Sequence, residues 1–115
     1  MRRGEIRVVD LDPVRGGEAG KRRPAVLVSN DAANATADHL GRGVVTVVPL
    51  TTRTDRVHPF HVLIPAGDGG LARDSKAQAE QVRSVSADRV GELVGTLPPR
   101  LLGELDAALR LHLAL

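Results

Sequence analysis

At 115 residues, with 42% hydrophobic and 26% charged side chains, the chain is about one ordinary domain long and can build one compact core but not two. Its 16 Lys plus Arg against 14 Asp plus Glu leave a formal charge of +2, so no global field draws it to nucleic acid or a membrane, and any anion site must be local. Cysteine is absent and Phe60 is the sole aromatic. The first excludes a disulfide scaffold, thiolate zinc and a cysteine nucleophile, and fits a reducing cytoplasm; the second excludes base stacking on ring platforms.

No apolar run follows the charged start Met1-Arg2-Arg3-Gly4-Glu5, and no stretch approaches about 18 uninterrupted apolar residues. Nothing in the sequence marks it for export or membrane insertion. Ile6 to Leu11 and Ala25 to Ser29 read as short strands, the second entered through Arg23-Pro24. Between them, Asp12 to Gly20 is dense in turn formers and predicts a flexible, solvent-facing loop. The Ala- and Asn-rich stretch Asp31 to Leu40 predicts one irregular helical turn before Gly41 and Gly43. Val44 to Val48 is a buried-strand pattern ended by Pro49, and Phe60 to Ile64 is another. Gly67 to Gly70 is a turn by composition.

From Ser75 to Ser86, alternating small and polar residues predict one long strand with a bulge between Glu80 and Arg83. A short strand is expected over Glu92 to Thr96. Beyond Pro98-Pro99, Leu101, Leu102, Leu105, Ala108, Leu109 and Leu113 fall at helical spacing and predict an amphipathic C-terminal helix, mainly a core element. Five or six strands followed by one helix, with no helix long enough for a parallel crossover, predict a mostly β domain, a small antiparallel barrel. No internal repeat divides it.

The histidines His39, His58, His61 and His112 lack a metal-ligand spacing, no glycine-rich segment continues into Gly-Lys-Ser/Thr, and no serine sits in a Gly-x-Ser-x-Gly elbow. Metal, nucleotide and serine-hydrolase readings therefore have no support, and no cofactor is expected. Two clusters remain. In Lys21-Arg22-Arg23-Pro24, the proline biases Arg23 towards extended backbone, so its guanidinium projects from a rigid position suited to clamping a phosphate. Pro49-Leu50-Thr51-Thr52-Arg53 sets two hydroxyls and a guanidinium just past a strand end. Each also has a bland reading, as a solvated charge run and a hydroxyl-capped turn.

Taken in order, Gly4-Glu5-Ile6, Asp10-Leu11-Asp12-Pro13, Gly17-Glu18, Arg23-Pro24-Ala25-Val26, Ser29-Asn30, Asn34, Pro49-Leu50-Thr51-Thr52, Gly70-Leu71 and Glu80-Gln81-Val82-Arg83-Ser84 resemble the MazF/PemK family of toxin endoribonucleases over essentially the whole chain. The resemblance implies an SH3-like barrel of the PemK/CcdB type and a homodimer. It implies metal-independent cutting of single-stranded RNA at short motifs, leaving 2′,3′-cyclic phosphate and 5′-hydroxyl ends. The target is messenger RNA, with transfer or ribosomal RNA as alternatives, and a small MazE-like antitoxin neutralises the toxin in the cytoplasm. By motif it makes Arg23, Thr51 and Glu18 the catalytic candidates, and Lys21, Arg22, Thr52, Arg53, Arg56, Gln81 and Arg83 the RNA-binding ones. One departure stands out: Arg7 occupies the position where the family usually carries tryptophan, which bears on packing or an interface rather than on the chemistry.

Cleavage by the RNA's own 2′-hydroxyl needs a base, a donor to the departing 5′-oxygen and donors around the phosphorane. Arg23 and Thr51 suit the last two, but a guanidinium is a poor base. The base stays open among Glu18, His58 and His61. Sequence choice is expected in the loops Pro13 to Arg22 and Arg53 to Pro59, reading splayed bases by their edges. The alternatives are a non-catalytic, CcdB-like gyrase-poisoning toxin and an inactive binding module of the same fold.

Overall fold

The computed structural model describes residues 1–12 and 15–115; the part of the first predicted loop formed by Pro13 and Val14 lies outside the described residues. Along the chain follow β1 (Glu5–Asp10), β2 (Arg22–Leu27), α1 (Asp31–Leu40), β3 (Val44–Thr51), β4 (His61–Ile64), β5 (Ser75–Gln78), β6 (Arg83–Ser86), β7 (Val90–Thr96) and α2 (Pro99–Leu113). The strands pair antiparallel in the order β4-β5-β3-β2-β1-β7, with β6 also on β3. This is the expected mostly β class with a C-terminal helix, with seven strands in place of five or six. Among the described residues no ladder joins β4 to β7, so the pairings trace an open path.

Side chains alternate across a strand, so β3 divides its residues between two cores. Val48 and Leu50 join Ile6, Val26, Val62 and Ile64 beneath α2, which contributes Leu101, Leu105 and Ala108. Val45 and Val47 join Ala25, Leu27 and Ala37 of α1 on the opposite face, together with Ala19 from the first loop. Leu105 is fully buried, and a side chain of that size stabilises by about 2 kcal/mol through burial alone. Arg3 ties α2 to the sheet, donating to Asp106 Oδ1 at 2.7 Å and to the Val28 carbonyl at 2.9 Å.

Four expectations need correction. The stretch Asp31–Leu40 is a ten-residue helix, not one irregular turn. The Asn30 side chain caps it by accepting from Ala33 N, Gly41 ends it at φ 63°, and burial of Asn34 and Ala37 supplies the packing that weak propensity lacks. The predicted long strand 75–86 is two strands separated by a 3-10 turn at Ala79–Gln81 rather than by a bulge. Both halves still pair with β3, in registers that differ by three residues, the length of that turn. β2 begins at Arg22, so Arg22 and Arg23 belong to the strand and not to the loop before it. Finally, β3 runs through Pro49 to Thr51.

The two prolines explain how β3 continues. The β2–β3 ladder pairs Leu27 with Val47, Val26 with Val48 and Ala25 with Pro49, and then stops. Leu11 N donates to the Lys21 carbonyl and Val28 N donates to the Thr46 carbonyl; since hydrogen-bonded pairs alternate along a strand, these two bonds turn Pro24 towards β3. With no N–H, Pro24 cannot extend the ladder to Leu50. By the same alternation Pro49 faces away from β2, at the point where β3 exchanges β6, paired up to Val47, for β5, paired from Leu50.

Asn34 links the elements behind this junction. It is fully buried; its Oδ1 accepts from Ser29 Oγ at 2.5 Å, its amide donates to the Ser29 carbonyl at 3.0 Å, and Ser29 Oγ accepts from Thr46 N at 3.1 Å. Nearby, the Asp31 carboxyl lies below its ordinary value of 3.8, chiefly because it accepts from Arg3 N. That contribution to stability is present above the ordinary value and is lost as pH falls through the lowered one. Asn34→Ala strips the junction of its partners and is expected to cost about 2–3 kcal/mol, read as a lower urea midpoint with an unchanged m-value.

Candidate active site

Continuing the β2–β3 register two residues beyond its last pair sets Arg23 opposite Thr51. Both lie on the face that carries Ala25, Leu27 and Val47, where that core gives way to open surface. A cleft of about 300 Å³ opens there, lined by Lys21, Arg22, Arg23, Pro24, Leu50, Thr51, Thr52, Arg53 and Ser75. Four cationic side chains and three hydroxyls line it, with no carboxylate. Positive charge is thus concentrated locally although the chain carries only +2. A second cleft adjoins it, sharing Arg23, Thr51 and Arg53 and adding Glu18, Gln78 and Gln81 with the Gly17 to Gly20 backbone.

Arg23 is half-buried and oriented through one nitrogen: Nε donates to the Gly20 carbonyl at 2.8 Å. Thr51 Oγ1 accepts from Arg53 N at 3.2 Å, so the hydroxyl proton is directed elsewhere. Lys21 has φ 66°, a left-handed conformation that costs a non-glycine residue about 1 kcal/mol or more. Two bonds hold it, from Lys21 N to Asp12 Oδ1 at 2.7 Å and from Leu11 N to the Lys21 carbonyl at 3.0 Å. This kink is where the loop enters β2.

The loop itself is not the free segment the sequence suggests. Ala19 and Gly20 are buried. Gln81 Oε1 accepts from Ala19 N at 3.0 Å and its Nε2 donates to the Gly17 carbonyl at 3.2 Å. The Arg83 guanidinium donates to the carbonyls of Ala19 at 2.7 Å and Leu11 at 2.9 Å, and lies 3.4 Å from Glu18 Oε2. Arg89 adds a bond to the Asp12 carbonyl. Gln81 and Arg83, expected as RNA contacts, thus spend their polar groups on the loop that carries Glu18. Glu18 is exposed at the second cleft, its Oε1 accepting from Arg15 N at 2.8 Å.

Of the other expected residues, Thr52 and Arg53 line the first cleft. Arg56 is exposed, and its carbonyl accepts from the buried Lys76 Nζ at 2.5 Å, which ties the Arg53–Pro59 segment to β5. The structure does not bring His58 or His61 into either cleft. His61 is buried with both nitrogens engaged, Nδ1 accepting from His58 N and Nε2 at 3.0 Å from Glu80 Oε2. Sequence reasoning missed Lys76, Gln78 and Arg89. The alternation in Ser75 to Ser86 carried the signal for the first two, since it sets Lys76 and Gln78 opposite the apolar Ala77.

Because Ala19 N and the Gly17 carbonyl both end on one carboxamide, Gln81→Leu is expected to raise the hydrogen-exchange rate of the Ala19 amide at least about tenfold while leaving β3 amides protected. Unchanged exchange at Ala19 would show that Gln81 does not hold the loop.

Comparison with known proteins bears on what this arrangement is for. Residues 2–113 match the model of the PemK-like, MazF-like toxins of type II toxin-antitoxin systems. The chain is 57% identical to the endoribonuclease MazF9 of Mycobacterium tuberculosis over its whole length and 98% of that protein. Among solved structures it is similar to MazF from Deinococcus radiodurans, with a TM-score of 0.83 and 28% identity over 100% of this chain and 97% of that one. A mycobacterial endoribonuclease solved in complex with its cognate antitoxin gives a TM-score of 0.78 and 26% identity, over 100% of this chain and 96% of that one. Gly17, Glu18, Arg23, Pro24, Leu50, Thr51, Thr52 and Gln81, all within the segments that carry the resemblance, line the two clefts, and the chain belongs to the PemK-like, MazF-like toxins of type II toxin-antitoxin systems, as an endoribonuclease of the MazF type.

Proposed function

We propose that this toxin cleaves single-stranded RNA at the junction of the two clefts, by attack of the 2′-hydroxyl on the adjacent phosphorus. One observation carries the reading: just beyond the end of the β2–β3 ladder, Arg23 and Thr51 line one cleft with four cations and no carboxylate. In the proposed step the 2′-oxygen bonds to phosphorus and gives its proton to Glu18, the bond from phosphorus to the 5′-oxygen breaks, and the leaving 5′-oxygen is protonated through solvent as Glu18 releases that proton again. The products are a 2′,3′-cyclic phosphate and a 5′-hydroxyl, and neither water nor metal enters the balance.

The roles follow from the remaining hydrogen-bonding capacity. With Nε held by Gly20, Arg23 offers its two terminal nitrogens to the phosphorane, a bidentate geometry that suits developing charge. The Thr51 hydroxyl, accepting from Arg53 N, donates its own proton to the same phosphate. Glu18 is the base: it is the carboxylate lining the second cleft, which shares Arg23 and Thr51 with the first. Lys21, Arg22, Thr52, Arg53 and Arg56 track the RNA backbone, while Gln81 and Arg83 position the loop of Glu18.

The same reading includes a sheet closed into an SH3-like barrel, a homodimer in the cytoplasm and a MazE-like antitoxin that neutralises the toxin. The complex of the mycobacterial relative with its cognate antitoxin supports the last of these. Among the described residues no helix is long and apolar enough to cross a membrane.

The test is incubation of the purified protein with a long unstructured RNA in EDTA, followed by end-group analysis. Discrete fragments ending in 2′,3′-cyclic phosphate are expected from the wild type. Arg23→Ala is expected to cut at least about 100-fold more slowly, in line with loss of a charge-stabilising donor, while folding normally and binding RNA within a few-fold. An Arg23→Ala protein that cuts at the wild-type rate would falsify the assignment.

A further inference from the structure

Most polar side chains of the second cleft have partners within the protein. Arg23 Nε is held by Gly20, Thr51 Oγ1 by Arg53 N, Glu18 by Arg15 N and Arg83, and Gln81 by Ala19 and Gly17 at its two ends. Gln78 differs. Its Oε1 is buried with no hydrogen-bond partner, and of the two side-chain oxygens in that condition among the described residues it is the one whose residue lines this cleft. The other, Glu80 Oε1, belongs to a carboxylate anchored through its second oxygen on His61.

A buried carbonyl without a donor destabilises a fold. The position is also well fixed: Gln78 pairs with His61 across β4–β5, while two residues earlier Lys76 pairs with Thr51 across β3–β5. Lys76 and Gln78 therefore share the face of the sheet that carries Thr51, with Gln78 on the neighbouring strand two residues beyond Thr51's partner, and both Gln78 and Thr51 line the second cleft. The Gln78 carboxamide is neither a flexible surface amide nor part of the loop clamp.

We propose that Gln78 is a specificity-determining residue that reads the edge of a base next to the cleaved phosphate. This rests on the nuclease reading above. A carboxamide presents one acceptor and one donor side by side, and a nucleobase edge presents the complementary pair, an amino or ring N–H beside a ring nitrogen or carbonyl. Rotation of the half-buried carboxamide towards the cleft brings Oε1 out of its buried position, where the base supplies the donor it lacks and the Gln78 amide nitrogen donates in return. Base choice at this position then needs no aromatic platform, which the chain could not supply in any case.

The test maps every cut made in a long unstructured RNA in EDTA by wild type, Gln78→Leu and Gln78→Glu, with circular dichroism and Tm on each protein. Wild type is expected to favour one base at one motif position. Gln78→Leu is expected to lose about tenfold or more of that preference at that position only, with a Tm equal to or above wild type because the orphaned carbonyl is gone. Gln78→Glu keeps the acceptor without the donor, and is expected to change which bases are accepted there. Folded variants whose motif matches the wild type's at every position would overturn the inference while leaving the nuclease reading intact; so would an equal loss at all sites, which would make Gln78 a general support of the site. If wild type leaves the RNA whole, the nuclease reading fails and the inference with it.

Discussion

A missing N–H organises this molecule. In the antiparallel ladder between β2 and β3 the residue due to donate to Leu50 is Pro24, and the ladder ends one pair earlier, at Ala25 and Pro49. Had the pairing continued, Arg23 and Thr51 would be ordinary cross-strand neighbours in a filled sheet. They stand instead at the mouth of a cleft, on strands whose backbones are rigid for several residues behind them. The second proline, at position 49, lets β3 change partner on its other edge, and so brings Lys76 and Gln78 of β5 alongside Thr51. One imino acid opens the site and the other furnishes its far wall.

Electrostatics then needs only a local solution. The whole chain carries a formal charge of +2, yet Lys21, Arg22, Arg23 and Arg53 line a single cleft. Other arginines are spent on the protein's own backbone: Arg83 and Arg89 donate to carbonyls of the first loop and Arg3 to that of Val28. Planar, multidentate donors suit both tasks, so the abundance of arginine over lysine has a structural use beside the proposed ligand-binding one. The restraints from Gln81 and Arg83 in turn keep Glu18 at the second cleft, which Arg23 also lines, and out of the cationic cleft itself.

Features governed by local pattern were legible in the sequence. The leucine spacing gave the C-terminal helix, and β-branched runs gave β1, β3 and β4. Arg23 was singled out because Pro24 fixes its backbone and Thr51 because its hydroxyl falls near a strand end, and the family motif named both. What escaped depends on tertiary partners. The helix α1 has a sequence of modest propensity and is secured by its Asn30 cap and by burial of Asn34, neither of which periodicity reveals. The first loop is rich in turn formers and looked free, because its restraints, Gln81 and Arg83, come from more than 60 residues away. The same distance hid these bonds, and the motif that named Gln81 and Arg83 as RNA contacts says nothing of where their polar atoms are used. Gln78 was overlooked for the converse reason: an orphaned carbonyl becomes visible only once every possible neighbour has been placed.

The central claim is that Arg23 and Thr51 act on one phosphate because the ladder ends just before them and leaves both lining one cleft. A double-mutant cycle on kcat/KM for cleavage of one oligonucleotide, using Arg23→Ala, Thr51→Ala and the pair, tests this most directly. Residues that act as a unit are non-additive, so the double variant should lose little more than the worse single one. Losses that multiply, as they would for two independent contacts, would contradict the account.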